Sequence, residues 1–357
     1  MPTFHDVMTA HKAIRNYVHE TPILTSNALR QKSDHEEIVL KCENLQRTGA
    51  YNLRGAVNHV IHSKQMDLGI NHFVARSLGN HGIAVALAAN AFDATGHIVI
   101  PPNPSDIVVK SIRHYGGRMY PCGPSADEQM QLVQRMMDST TAGGGVREKG
   151  EEASSCVYVH PQDKWVAAGH GTAGVELMLQ TDCRLDAVVV PAAGAALLAG
   201  VGLAVKGMKP NIAVYGALNT DDEENQEMKK NDSKAHNKNG KNNNNKRNGS
   251  EFKLPPVISD HTSGASLPSE LLGTMTPEVA ECVERNVDGI ICVNAAATRY
   301  AFRFVYERCK LVIDAEAATA IAAVLQRPKE LTRYRHIGII LSGGNVILDD
   351  IPKLSRL

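Results

Sequence analysis

Four glycine-containing turns recur along the chain: Thr48-Gly49-Ala50-Tyr51-Asn52-Leu53-Arg54-Gly55-Ala56, Ser77-Leu78-Gly79-Asn80-His81-Gly82, Pro191-Ala192-Ala193-Gly194-Ala195-Ala196-Leu197 and Ser342-Gly343-Gly344-Asn345. The last two directly follow strand-like runs, where turn amides can converge on an anion or a ring. A literal Gly-x-Gly-x-x-Gly, Gly169 to Gly174, also occurs, with Asp186 close to the spacing of a ribose-binding acid. That fingerprint binds a dinucleotide only where a strand feeds straight into the glycine turn. Here residues 161–166 intervene after the run CVYVH, so a tight turn into a helix is the expected role of these glycines.

Short β-rich runs must position these turns. IVLKCE (38–43), HIVIPP (97–102), RMYPC (118–122), CVYVH (156–160), DAVVVP (186–191), IAVYGA (212–217), GIICV (289–293) and HIGIILS (336–342) have strand length, and several are apolar on both faces. Parallel strands covered by helices on each side read this way. Helical stripes lie between them, for example Val7, Ile14 and Val18, and Thr276-Pro277-Glu278 is a helix start with a capping hydroxyl and a proline at the first position. The alternation predicts an α/β protein with open parallel sheets and a ligand at the carboxyl ends of the strands.

The chain has 357 residues, enough for two domains at roughly 100 to 200 residues each. Lys plus Arg and Asp plus Glu are both 38, so no basic field is available to hold nucleic acid. No run approaches a membrane span, and the first twenty residues lack the apolar core of a signal peptide, so a cytoplasmic protein is expected. The seven cysteines show no Cys-x-x-Cys pair and read as reduced thiols. Asp221 to Ser250, rich in Asn and Lys, cannot bury enough apolar area to order itself and reads as a disordered insertion, and Thr140 to Ser155 as a shorter surface loop.

In their order and separation the four turns resemble those of the serine/threonine dehydratase and serine racemase family, fold-type II enzymes that use pyridoxal phosphate. The similarity runs from about Asp6 to Asn345 and includes ETPILTSNAL (20–29), KCENLQ (41–46) and YVHPQD (158–163). It implies two open, mainly parallel-sheet α/β domains with the cofactor in the cleft between them: a large domain of 1–50 and 143–357, and a small domain of 51–142. It also implies a dimer.

The resemblance further implies which residues would do chemistry. Such enzymes hold the cofactor as an imine with a lysine, which then moves the substrate α-proton. In the pattern Ser-Phe-Lys-x-Arg-Gly-Ala that lysine falls at Asn52. A carboxamide nitrogen is delocalised into its carbonyl, so it neither forms the imine nor takes the proton. Lys41 lies on an earlier predicted strand, with no sequence reason to reach the same atom. The phosphate glycine run falls on Ala193, Gly194, Ala195 and Ala196, and alanine disfavours positive φ by about 1 kcal/mol or more, so a weakened phosphate cup is expected.

Ser77, Gly79 and His81 match the loop for the substrate carboxylate, but Leu78 replaces the acid/base serine of the racemases. Leu218 stands where the family's metal-binding acid follows the strand, so no metal is expected, and Asp314-Ala315-Glu316-Ala317-Ala318 replaces a Glu-Pro-x-Gly-like turn, with Ala318 filling space near the site. Asn80 and Ser342, which in the family meet the cofactor's ring oxygen and pyridine nitrogen, are present, although Asn80 also suits a cap for a helix over 82–90.

The leading expectation is a catalytically inactive homologue of L-serine/L-threonine ammonia-lyase and serine racemase. It would have a ligand-binding or regulatory role, an amino acid as small-molecule partner, and a homodimer or a heterodimer with an active relative. The alternatives are an active dehydratase or racemase on small hydroxy amino acids, and a sensor that uses the cleft without cofactor.

Overall fold

A strand that is apolar on both faces must be covered twice, so the valine- and isoleucine-rich runs require sheets enclosed by helices. The computed structural model, which describes residues 1–77, 79–141, 156–220, 256–258 and 275–352, has this arrangement in two sheets. The larger comprises β1 (Ile23–Thr25), β2 (Glu37–Cys42), β7 (Ala187–Pro191), β8 (Ala213–Asn219), β9 (Val257–Ile258), β10 (Gly289–Val293) and β11 (His336–Leu341), in the order β1-β2-β11-β7-β8-β10-β9. Only the β1–β2 pair is antiparallel. The smaller sheet comprises β3 (His72–Arg76), β4 (Thr95–Ile100), β5 (Arg118–Pro121) and β6 (Cys156–Tyr158), all parallel in the order β5-β4-β3-β6.

The described α-helices of more than four residues are α1 (Phe4–Ile14), α2 (Asn27–Ser33), α3 (Asn52–Met66), α4 (Asn80–Asn90), α5 (Asp106–His114), α6 (Ala126–Thr141), α7 (Lys164–Gln180), α8 (Ala195–Met208), α9 (Pro277–Asn286), α10 (Ala295–Phe304) and α11 (Ala315–Leu325). Successive strand residues face opposite sides of a sheet. Val188 and Val190 of β7 therefore pack with Leu197, Leu198 and Val201 of α8, while Ala187 and Val189 pack in the core that holds Ala317, Ile321 and Val324 of α11. The start of α9 matches its signal, with Thr276 Oγ1 accepting from the Val279 amide and Pro277 in the first turn.

Three local readings differ from the structure. Strand β3, central in the smaller sheet, is absent from the strand-like runs of the sequence because its apolar stretch is only Phe73-Val74-Ala75, bounded by His72 and Arg76. Strand β6, beyond position 142, pairs with β3 in that smaller sheet. Gly169 to Gly174 lie inside α7, not at a turn into it. There they let helices approach: a Cβ at Gly169 would stand 2.7 Å from Gly55 Cα, and one at Gly171 would stand 2.6 Å from the Gly200 carbonyl oxygen. Asp186 binds no ribose geometry either. Its Oδ2 accepts from the Arg335 and His336 amides at 2.8 and 2.9 Å, at the end of the sheet away from the glycine turns.

A buried ionic cluster ties β2, α3 and α7 together. The Arg54 guanidinium makes paired hydrogen bonds to Glu43 at 2.7 and 2.8 Å and to Glu176 at 2.6 and 2.7 Å. Lys41 Nζ donates to Glu176 Oε2 at 2.6 Å, the Thr21 carbonyl at 2.7 Å and Gln180 Oε1 at 3.0 Å. Two cations face two carboxylates with nearly every donor matched, the condition under which buried charge is tolerated. Burial alone would raise the Glu43 carboxyl, but Arg54 beside it holds it below the usual range. All seven cysteines are free thiols, with Cys42 and Cys282 buried and the others half-buried. Of residues 140–155 and 221–250, read as a surface loop and an insertion, 140 and 141 close α6 and the rest lie outside the described residues.

Candidate functional site

The carboxyl ends of β7, β8 and β11 adjoin the first turns of α3, α8 and α11, where open parallel sheets place ligands. Backbone pairing joins the first and fourth glycine turns: the Tyr51 amide donates to the Ser342 carbonyl at 3.0 Å and the Gly344 amide to the Gly49 carbonyl at 2.9 Å. The Asp314 amide donates to the Gly343 carbonyl at 2.9 Å, which brings the start of α11 to the same ridge. Gly49 holds φ at +73°, and a Cβ on Gly343 would collide with Asp314 Oδ2.

A run of carboxamides crosses from the smaller sheet's α4 to this ridge. Asn345 Nδ2 donates to the Thr48 carbonyl and to Asn80 Oδ1, both at 2.8 Å, and Asn80 Nδ2 lies 3.5 Å from Asp314 Oδ2. Asn80 is thus the first residue of α4, behind an N-cap at Gly79, and its side chain links the two sheets rather than capping the helix. Asp314 caps α11 by accepting from the Ala317 amide at 2.9 Å, and burial raises its carboxyl above the usual range.

Asn52 opens α3 and is 9% exposed; its Oδ1 and the Oγ of Ser342, 1% exposed, are buried polar atoms without a hydrogen-bond partner. Beside Asn52, the Tyr51 ring meets His170 edge-on with centroids 4.6 Å apart. Burial pushes His170 down to about 3, so this imidazole is neutral. The Tyr51 hydroxyl reaches the third turn, where a Cβ on Gly194 would collide with it. Burial first, then the carboxylates of Glu316 and Asp314, raise that phenol well above its ordinary value, so it stays protonated.

The third turn has an internal acceptor. The Gly194 amide donates to Glu316 Oε1 at 3.3 Å, and Glu316 lines a small cavity together with Ala193, Leu218, Ala315 and Thr319. The alanines carry none of the strain expected of them: no positive φ occurs at 193, 195 or 196, and Ala195 and Ala196, in the first turn of α8, are buried in the core. Gly194 itself sits at φ −89°, so close approach of Tyr51, not backbone freedom, is what calls for glycine there.

The remaining candidates disperse. Ser77 Oγ accepts from the Gly79 and Gly82 amides at 3.1 and 2.8 Å, which occupies it in its own turn. His81 donates from Nε2 to the Val159 carbonyl at 2.9 Å, and burial pushes it down to about 4. Leu78 lies outside the described residues. Leu218 is buried near the end of β8, and among the described residues no group of three His, Cys, Asp or Glu is placed to hold a metal ion. Lys41 is fully engaged in the ionic cluster. Sequence reasoning passed over Tyr51 and Glu316 as site residues. The available signals were a phenol adjacent to Asn52 and an acid at the second position of α11.

The pyridoxal-phosphate dependent enzyme family matches residues 14–343. A serine racemase from Dictyostelium discoideum is 31% identical over 99% of this chain and 97% of its own, and an L-threonine ammonia-lyase from Thermotoga maritima is 30% identical over 99% and 78%. The crystal structure of the Dictyostelium discoideum serine racemase superposes with a TM-score of 0.75 at 29% identity, covering 97% of this chain and 99% of that one. Pyridoxal phosphate, held as that resemblance implies, does not fit the residues present. Position 52 offers a carboxamide where an imine-forming amine is needed, and the Gly194 amide faces a carboxylate where a phosphate oxygen would go. Ser342 Oγ, buried and unpartnered, suits it.

Proposed function

We propose, from the premise that this chain belongs to the pyridoxal-phosphate dependent enzyme family, that it keeps the scaffold and cleft without the imine chemistry and has a ligand-binding or regulatory role. Asn52 at the start of α3 carries this reading: its nitrogen supplies neither the nucleophile nor the base that the reaction needs. The ligand expected is a small amino acid, held beside the ridge of Ser342 to Asn345. The chain acts in the cytoplasm as a homodimer or paired with an active relative, and its two domains divide near position 50 and, with β6 in the smaller sheet, beyond position 158. No described helix is long and apolar enough to cross a membrane.

The test is an absorbance spectrum of the purified protein with pyridoxal phosphate, before and after borohydride, beside an Asn52→Lys variant. The expected result is no imine band in the unsubstituted protein. A band that borohydride fixes to a lysine would sink the reading. It would favour the second one, an active L-serine/L-threonine dehydratase or serine racemase, for which the buried hydroxyl of Ser342 and the relatives' serine racemase and threonine ammonia-lyase names speak.

A further inference from the structure

We propose that Glu316, independently of Asn52, excludes phosphate from this cleft by occupying the anion position at the start of α8. The inference deepens the reading above and rests on it in taking this cleft as the ligand site. Fourteen residues of α8 point their positive end at Gly194, and a free amide there would donate to an anion. That amide already donates to Glu316 Oε1 at 3.3 Å.

Glu316 is held in place by its own helix. It is the second residue of α11, next to the Asp314 cap, so the amino end of α11 favours its negative charge while the side chain reaches across to α8. The Tyr51 hydroxyl closes the other side of Gly194, and Asp314 adds a second buried carboxyl nearby. Of the described residues lining the adjoining cavity, none is basic. A phosphate dianion entering here would have to displace the Glu316 carboxylate from the Gly194 amide and would meet like charge, an arrangement that disfavours it. The alanines of the third turn are not the obstacle, because none has a strained φ and Ala195 and Ala196 are turned into the core.

Titration calorimetry of the full chain with inorganic phosphate and with pyridoxine 5′-phosphate tests this, comparing the unsubstituted protein with Glu316→Ala and Glu316→Gln. Both probes lack an aldehyde, so Asn52 plays no part in the reading. Both variants are expected to bind phosphate at least about tenfold more tightly than the parent, Glu316→Ala most of all. The inference is overturned if the parent binds inorganic phosphate as tightly as the variants, or if variants with parent-like cooperative melts gain nothing. Should Glu316→Ala fail to fold, Glu316→Gln, which keeps the volume and removes the charge, decides alone. An imine band in the parent would remove the functional reading, whereas equal phosphate affinity would remove only the role of Glu316.

Discussion

The carboxamide at 52 and the carboxylate at 316 act on opposite ends of the same prospective ligand. Asn52 denies it a covalent bond, and Glu316 occupies the amide that would take its anion. Between them stands the Tyr51 hydroxyl, packed so closely on Gly194 that a methyl group has no room. Gly194→Ala is therefore expected to lower stability by about 1–3 kcal/mol, the usual cost of overpacking. Adding Tyr51→Phe should recover part of that loss, and the coupling is read from a double-mutant cycle by urea denaturation. A purely additive pair would place the clash elsewhere.

Helix α7 is the element on which the others converge. Its glycines meet Arg54 and Gly55 of α3 on one side and Gly200 of α8 on another, and its Glu176 holds both buried cations. Gly169→Val would drive a side chain into the Arg54 carbonyl and Gly55, so separation of α3 from α7 and loss of cooperative melting is the expected outcome in calorimetry. Glu176→Ala leaves Lys41 and Arg54 facing a single carboxylate, Glu43. A loss of about 3–5 kcal/mol in urea denaturation is expected, since an unpaired buried charge costs far more than the pair contributes. The six-residue pattern that looks like a nucleotide motif is thus a packing surface, and the lysine nearest before Asn52 is a strut.

Over the whole molecule, acid should act through histidines kept neutral. His81 and His97 are pushed down by burial to about 4, and His170 to about 3, against an unfolded value near 6.5. Because their folded values are depressed, the unfolded chain binds protons first. Stability is complete above about pH 6.5 and drains as the pH falls towards 4. The buried Asp314, raised by its surroundings, works the other way, one carboxyl against three imidazoles. Melting temperatures measured from pH 7.5 to 4.5 should fall monotonically, and a flat profile would contradict the burial of these rings. Legible along the chain were the α/β class, the strands of both sheets apart from β1, β3 and β9, the four turns and the amide at position 52. Those follow from periodicity, glycine placement and residue chemistry, all local along the chain. Packing alone sets that Asn80 spans the sheets, that Lys41 is sequestered, and that Glu316 answers the Gly194 amide. Each joins residues far apart in sequence, by distances and angles that packing sets and no local pattern records.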